Sequence, residues 1–181
     1  MKKVILISGK AGHGKDTTAN YMKDALERRG NKVVITHYGD LVKYVCKAFF
    51  GWNGLKDVNG RSLLQYVGTD IVRAKEENFW VSFVYKMVDF FQNKWDYVLI
   101  PDARFPNEVD VFADSKFDTV HVRVVRNQDG ESSIESSLTK EQSEHSSETA
   151  LDDCVPEYLI ENTGTIDELK QAAELLVEDI I

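Results

Sequence analysis

Short runs of branched apolar residues alternate along the chain with longer stretches whose apolar positions recur every three or four residues. The first kind predicts strands and the second amphipathic helices. Strands are expected at residues 4–7, 32–36, 97–100, 119–125 and 158–160. A helix over residues 15–29 gathers Ala19, Met22, Ala25 and Leu26 on one face and stops at Gly30. Further helices are expected over 41–50, 61–75 and 79–92, from Glu108, and from a capping box at Thr165-x-x-Glu168 that would bury Leu169, Ala172, Leu175, Leu176 and Ile180. In the 79–92 stretch the polar residues Ser82, Lys86, Asp89 and Asn93 mark one narrow wet stripe, so its aromatics read as core. Gly68-Thr69 interrupts the 61–75 helix, which suggests close approach of a ligand or a neighbouring helix. Strands alternating with helices imply an α/β fold, a mainly parallel sheet of about five strands flanked by helices. Neither an internal repeat nor a linker divides residues 1–181, so one domain is expected.

The turn after the first strand changes the picture from fold to chemistry. Gly9-Lys10-Ala11-Gly12-His13-Gly14-Lys15 reads G-x-x-x-x-G-K between a strand and a helix, the pattern of a phosphate-binding loop. Glycines let successive backbone N–H groups converge on phosphate oxygens, and the helix behind them presents its positive end. Lys15 adds a full charge where β- and γ-phosphates would lie. The residue after the lysine is Asp16 rather than Ser or Thr, with Thr17 and Thr18 next. Either the metal ligand has shifted or Asp16 works through a water or orients Lys15. The glycine spacing fits a dinucleotide fingerprint less well.

Other candidates cluster at predicted strand ends. Asp102 follows the third strand, where such enzymes hold Mg²⁺ or its water, and Arg104 is placed for a phosphate contact; an Asp–Arg pair tying the turn is the plainer alternative. Asp40 either faces the phosphate loop or caps the following helix. Arg73 either grips a phosphate or, more plainly, snorkels to solvent. Trp80 is the aromatic best placed to pack on a base, His121 reads as a satisfied sheet residue, and Arg126 ends the fourth strand. Residues 127–147, rich in Ser, Glu and Gln, read as a surface segment that would serve a phosphoryl-transfer enzyme as a lid.

Composition sets limits. A charged content of 29% and hydrophobic content of 43% suit a globular protein, and the net charge of −8 argues against a nucleic-acid polymer as partner. No apolar run approaches the ~20 residues of a membrane span. Cys46 and Cys154 lie far apart, which suits reduced thiols in a cytoplasm. Two short matches suggest a GTP-binding switch, Asp57-Val58-Asn59-Gly60 and Asn93-Lys94-Trp95-Asp96, but their settings relative to the strands are wrong for it. A kinase acting on a phosphate acceptor explains more residues, because that acceptor needs little base catalysis.

The loop through Asp16-Thr17-Thr18 resembles that of the phage-type deoxynucleoside monophosphate kinases. So do Leu64-Gln65-Tyr66-Val67-Gly68-Thr69-Asp70 with Arg73, Phe79-Trp80-Val81, Ile100-Pro101-Asp102-Ala103-Arg104-Phe105-Pro106-Asn107-Glu108 and His145-Ser146-Ser147-Glu148. The resemblance implies a three-layer P-loop NTPase fold with an acceptor-binding helical region at about 38–93 and a mobile lid at about 126–150. It implies ATP- and Mg²⁺-dependent phosphorylation of a deoxynucleoside monophosphate in the cytoplasm (a host's, if phage-encoded), and a homodimer is compatible with it. Gly9 to Thr18 would hold the donor phosphates, with Asp16, Thr17 and Asp102 at the metal, and Asn162, Gly164 and Thr165 would border the adenine. Asp40, Lys43, Thr69, Arg73, Trp80 and Arg104 would lie near the acceptor, and Lys15, Asp16, Asp102, Arg104 and Arg126 would serve transfer. Phosphomevalonate kinase shares the loop, so a small polyanionic acceptor is the rival; a surplus of basic side chains at the acceptor would favour it, and an aromatic would favour a base.

Overall fold

The computed structural model describes residues 2–126 and 138–181. Five strands, β1 (Lys3–Ser8), β2 (Val33–Ile35), β3 (Tyr97–Ala103), β4 (Asp118–Arg126) and β5 (Tyr158–Asn162), form one sheet in the order β2-β3-β1-β4-β5. Every pairing is parallel. The central strand β1 is buried on both faces, with Val4, Ile5, Leu6 and Ile7 all at 0% exposure, which is why its apolar run is continuous and not alternating. Ile5 and Ile7 face helices α1 (Lys15–Arg28) and α8 (Ile166–Ile180) through Met22, Leu26, Leu169, Ala173 and Val177. Val4 and Leu6 face α4 (Phe79–Phe90) and α5 (Pro106–Ala113) through Val81, Val84, Val88 and Phe112. The sheet is thus the middle of three layers.

A third apolar cluster joins α2 (Gly39–Phe50), α3 (Val58–Gln65) and the π-helical turn Tyr66–Arg73 to Trp80. The helix expected over 61–75, with an interruption at Gly68-Thr69, instead runs on through Gly68, changing from α-helical to π-helical at Tyr66. The glycine has a packing cause, the close approach of a neighbouring helix: a Cβ at Gly68 would meet Val42 Cγ1 of α2 at 3.3 Å, and the indole Nε1 of Trp80 donates to the Gly68 carbonyl at 2.8 Å. Two short helices, α6 (Lys140–Glu144) and α7 (Ser146–Thr149), follow in the chain. The greater part of the serine-rich segment expected to be a lid, residues 127–137, lies outside the described residues.

Three expectations about faces are corrected. On α4 the valines, with Trp80, take the core side, and the opposite face exposes Phe79, Phe83, Met87 and Phe90, the last at 77%. This helix has more apolar residues than one face holds, and the slimmer β-branched set at 81, 84 and 88 is the one that fits the sheet. On α8 the buried positions are Leu169, Ala173, Leu176, Val177 and Ile180, while Leu175 is exposed. Helix α2 begins at Gly39, so Asp40 lies in its first turn and is not its cap. The cap comes from another strand: the Asp102 carboxylate accepts the N–H of Tyr38 and of Gly39, each at 2.9 Å.

His121 is the sheet residue it was expected to be. Its Nε2 lies 2.8 Å from Ser8 Oγ in the interior, and burial, with repulsion from Arg123, lowers its pKa to about 4. The unfolded chain thus binds the extra proton between roughly pH 6.5 and 4, so stability falls as pH drops through that window, by on the order of 3 kcal/mol. Denaturant titrations of wild type and His121→Gln should diverge as the pH drops from 7 to 4, with the wild type losing more. Parallel acid profiles would show that His121 carries no buried-neutral penalty.

Candidate active site

Parallel strands place all their carboxyl ends on one edge, and the ends of the adjacent strands β1, β3 and β4 form a crevice there. The turn after β1, residues 9–14, sits in that crevice. Gly9 has φ 140° and a Cβ there would lie 2.3 Å from the Val124 carbonyl oxygen; Gly14 has φ 98° and a Cβ would lie 2.9 Å from Asn162 Nδ2. Only glycine permits this path at this distance. Asn162, at the end of β5, donates to the His13 carbonyl at 3.0 Å and so props the loop from behind. His13 Nδ1 lies 3.3 Å from both the Val124 carbonyl and the Arg126 N–H, and burial lowers its pKa.

Lys15 is 7% exposed, and its Nζ donates to the Lys10 carbonyl at 2.9 Å. Burial, with the nearby charge of Arg104, brings its pKa down to about 8, against the pull of Glu148, Asp16 and Asp102. Asp16 stands at the mouth of α1, 74% exposed, 3.0 Å from His37 Nε2. That hydrogen bond lowers the Asp16 pKa and raises that of His37. Thr18 Oγ1 donates to the Gly14 carbonyl at 3.0 Å, which leaves Thr17 as the hydroxyl beside Asp16.

A cavity of about 420 Å³ opens in front of the loop. Of the residues singled out from sequence, Ala11, Gly12, Lys15, Asp16, Lys43, Thr69, Arg73, Trp80, Asp102 and Arg104 line it. A second cavity of about 360 Å³ takes Gly9, Lys10, His13 and Arg126, and Arg104 lines both. Asp40 stays at the rim, 2.8 Å from Lys43 Nζ and 3.3 Å from His37 Nδ1. Thr165 caps α8 through a reciprocal pair with Glu168, and Gly164 precedes it.

Arg73 does not reach solvent. It is 9% exposed, ion-paired with Glu108, bonded to Asn107 Oδ1 at 3.1 Å, and stacked 3.9 Å over the Phe105 ring. Glu108 also accepts the N–H of Arg104 at 2.6 Å and of Phe105 at 3.1 Å; burial raises its pKa, and Arg73 with those donors opposes the rise. Arg104 is not paired with Asp102 in a turn. It pairs with Glu148 and donates to the Ser147 carbonyl at 2.8 Å. His37, Glu108, Gln65 and Gln142 were not singled out from sequence, and neither were the cavity-lining cations Lys56 and Arg61. Their only sequence signal is a position in or beside a motif; the contacts are long-range.

The switch-like matches are absorbed by structure. Asp57 caps α3 by accepting the Gly60 N–H at 2.8 Å. Asp96 accepts the Lys32 N–H at 2.9 Å just before β3 begins, at the end of the sheet opposite the loop.

The family model for deoxynucleotide monophosphate kinase matches residues 42–173, nearly three quarters of the chain, beginning beyond the phosphate loop. The chain belongs to this family. No curated protein matches it. The kinase fold is shared with solved structures of low identity. A sugar kinase from Janibacter sp. HTCC2649 has TM-score 0.59 and 14% identity, over 99% of this chain and 95% of that one. APS kinase of Mycobacterium tuberculosis in complex with AMPPNP and APS has TM-score 0.51 and 14% identity, over 98% of each chain. The protein is thus a nucleotide monophosphate kinase, and the switch and phosphomevalonate readings are not favoured. Six basic side chains do line the larger cavity, but Lys43, Arg73 and Arg104 each have an acidic partner, and Trp80 stands among them.

At pH 8 about half of the Lys15 side chains are neutral, and a polyphosphate bound at the loop would restore the charge. Nucleotide binding at pH 8 should therefore take up roughly half a proton per site. Calorimetry in buffers of different ionisation enthalpy measures this. Buffer-independent heats, or uptake retained in Lys15→Ala, would contradict it.

Proposed function

We propose that this kinase transfers the γ-phosphate of ATP to a deoxynucleoside monophosphate, giving the diphosphate and ADP. The observation that carries the reading is the buried Lys15 between the glycine loop and a cavity walled by Arg73, Arg104 and Trp80, in a chain of this family. The loop N–H groups from Gly9 to Thr18 and the positive end of α1 hold the donor phosphates. Lys15 stabilises charge as the γ-phosphoryl group leaves. The attacking oxygen belongs to a phosphate already ionised near neutral pH, so no general base is required. Arg104 bridges donor and acceptor, and the acceptor lies among Asp40, Lys43, Thr69, Arg73 and the edge of Trp80, within residues 38–93. Arg126 stands on the far side of the loop; Asn162, Gly164 and Thr165 border the adenine.

The residues present fit Mg²⁺. Among the described residues no group of three or more His, Cys, Asp or Glu could hold a metal ion, and Mg²⁺ in such enzymes is held by substrate phosphates and waters with one or two protein oxygens. Asp16 and Thr17 at the mouth of α1 supply those oxygens, and Asp102, whose carboxylate is fixed by Tyr38 and Gly39, faces the same cavity. Bound there, the ion would neutralise charge on the β- and γ-phosphate oxygens. Cys46 and Cys154 are free thiols, in keeping with a cytoplasmic enzyme, and no helix among the described residues is long and apolar enough to cross a membrane.

The exposed face of α4 supports a homodimer. Phe79, Phe83, Met87 and Phe90 recur at helical spacing, 41–77% exposed. Together they offer on the order of 400 Å². Two copies would bury about 800 Å² from these alone, most of the ~1,000 Å² a specific interface needs. Sedimentation should give a dimer for wild type and a monomer for Phe83→Asp/Phe90→Asp; a monomeric wild type would remove the proposal.

The substrate assignment is tested by ADP release with Mg-ATP against dAMP, dGMP, dCMP, dTMP and phosphomevalonate. Turnover with at least one deoxynucleotide is expected. Turnover with phosphomevalonate alone would overturn the reading.

A further inference from the structure

The segment just past residues 127–137 is fastened to both halves of the site. Thr139 and Gln142 form a reciprocal cap at the start of α6, and Gln142 Nε2 donates to the Val58 carbonyl and to Ser62 Oγ of α3, each at 2.9 Å. Gln65 Nε2 donates to the Gln142 carbonyl at 3.1 Å, and His145 Nε2 lies 3.5 Å from Asp70 of the π-helical turn. These contacts tie α6 and α7 to the acceptor side. Further contacts run to the donor side. Glu148 Oε2 accepts the N–H of Ala11 in the phosphate loop at 3.2 Å, while Oε1 is ion-paired with Arg104.

The Glu148 side chain is 5% exposed, and Arg104 is 30% exposed. A carboxylate this buried persists only when paired, and removing one partner strands the other. Both partners here belong to the transfer machinery. Ser147, Glu148 and Arg104 line the larger cavity and the smaller one alike, so the ion pair stands between the two.

We infer that Glu148 is a positioning residue for phosphoryl transfer: it aims the Arg104 guanidinium across the boundary between the two cavities and fixes that guanidinium to the phosphate loop through the Ala11 N–H. The inference rests on the kinase reading for its kinetic consequence, and on the contacts alone for its structural one. An arginine held by a carboxylate and a carbonyl keeps one direction, whereas a released one samples many. A displacement of about 1 Å in such a group costs on the order of 100-fold in rate.

Two measurements test it. Amide exchange at Ala11 and exchange of the Arg104 guanidinium protons, both read by NMR before nucleotide is added, should speed up by about tenfold or more in Glu148→Ala and less in Glu148→Gln. In steady-state assays Glu148→Ala should lower kcat by about 100-fold with both KM values within about threefold. Glu148→Gln should recover part of kcat. Glu148→Ala added to Arg104→Ala should cost nothing further, the sign of two residues acting as one unit. Additive losses, an unchanged kcat, or tighter ATP binding with kcat retained would overturn the inference, the last by making Glu148 a competitor for an anion site. If Glu148→Ala fails to fold, Glu148→Gln and its cycle with Arg104→Ala decide the matter. A wild type without turnover whose exchange responds as stated would refute the kinase reading and leave the positioning intact. Turnover with exchange unmoved in the variants would refute the positioning.

Discussion

A lysine ammonium held almost out of water is the constraint on which the site depends. Lys15 is buried because β1 lies at the centre of the sheet and its turn folds back over the first residue of α1. That turn exists only because Gly9 and Gly14 accept positive φ beside Val124 and Asn162. Desolvation weakens the charge, and the carboxylates of Glu148, Asp16 and Asp102 only partly compensate. The arrangement is therefore most favourable when an anion completes it. A site of this kind spends folding stability on readiness to bind.

Around that lysine, two of the arginines expected to serve the phosphates, Arg73 and Arg104, are already engaged with an acid from another element. Arg73 of the π-helical turn meets Glu108 of α5, and Arg104 after β3 meets Glu148 of α7. Asp102 does the same for a helix terminus by taking the N–H groups of Tyr38 and Gly39. Breaking a buried pair of this kind typically costs about 3–5 kcal/mol, so these contacts hold the cavity walls in one arrangement. These cations line the cavity while their charge is balanced, which lets a strongly acidic protein present a basic pocket.

The five strands, the loop and the helix after it were legible because each is encoded locally: by branched apolar runs, by glycine spacing, and by the stop at Gly30. The resemblance pointed to the family on short motifs, and nine of the acceptor and transfer residues it named, from Lys15 to Arg104, meet in one cavity or at its rim. What could not be read was decided between elements. The burial of Arg73 depends on Glu108, thirty-five residues on. The start of α2 depends on Asp102. The exposed aromatics of α4 were misread because an apolar surplus has no preferred face until the sheet selects the valines. Glu148 stood in a recognisable motif, but only the tertiary contact with Ala11 gives it a task.

The central claim is that a phosphoryl group passes from a donor at the glycine loop to an acceptor beside Arg104, with Lys15 stabilising the transfer. Following labelled γ-phosphate from ATP into nucleotide product, in wild type and in Lys15→Ala, tests it most directly. The account predicts label in a deoxynucleoside diphosphate for the wild type and essentially none for a folded Lys15→Ala. Label released only as inorganic phosphate, or transferred equally well by the variant, would contradict it.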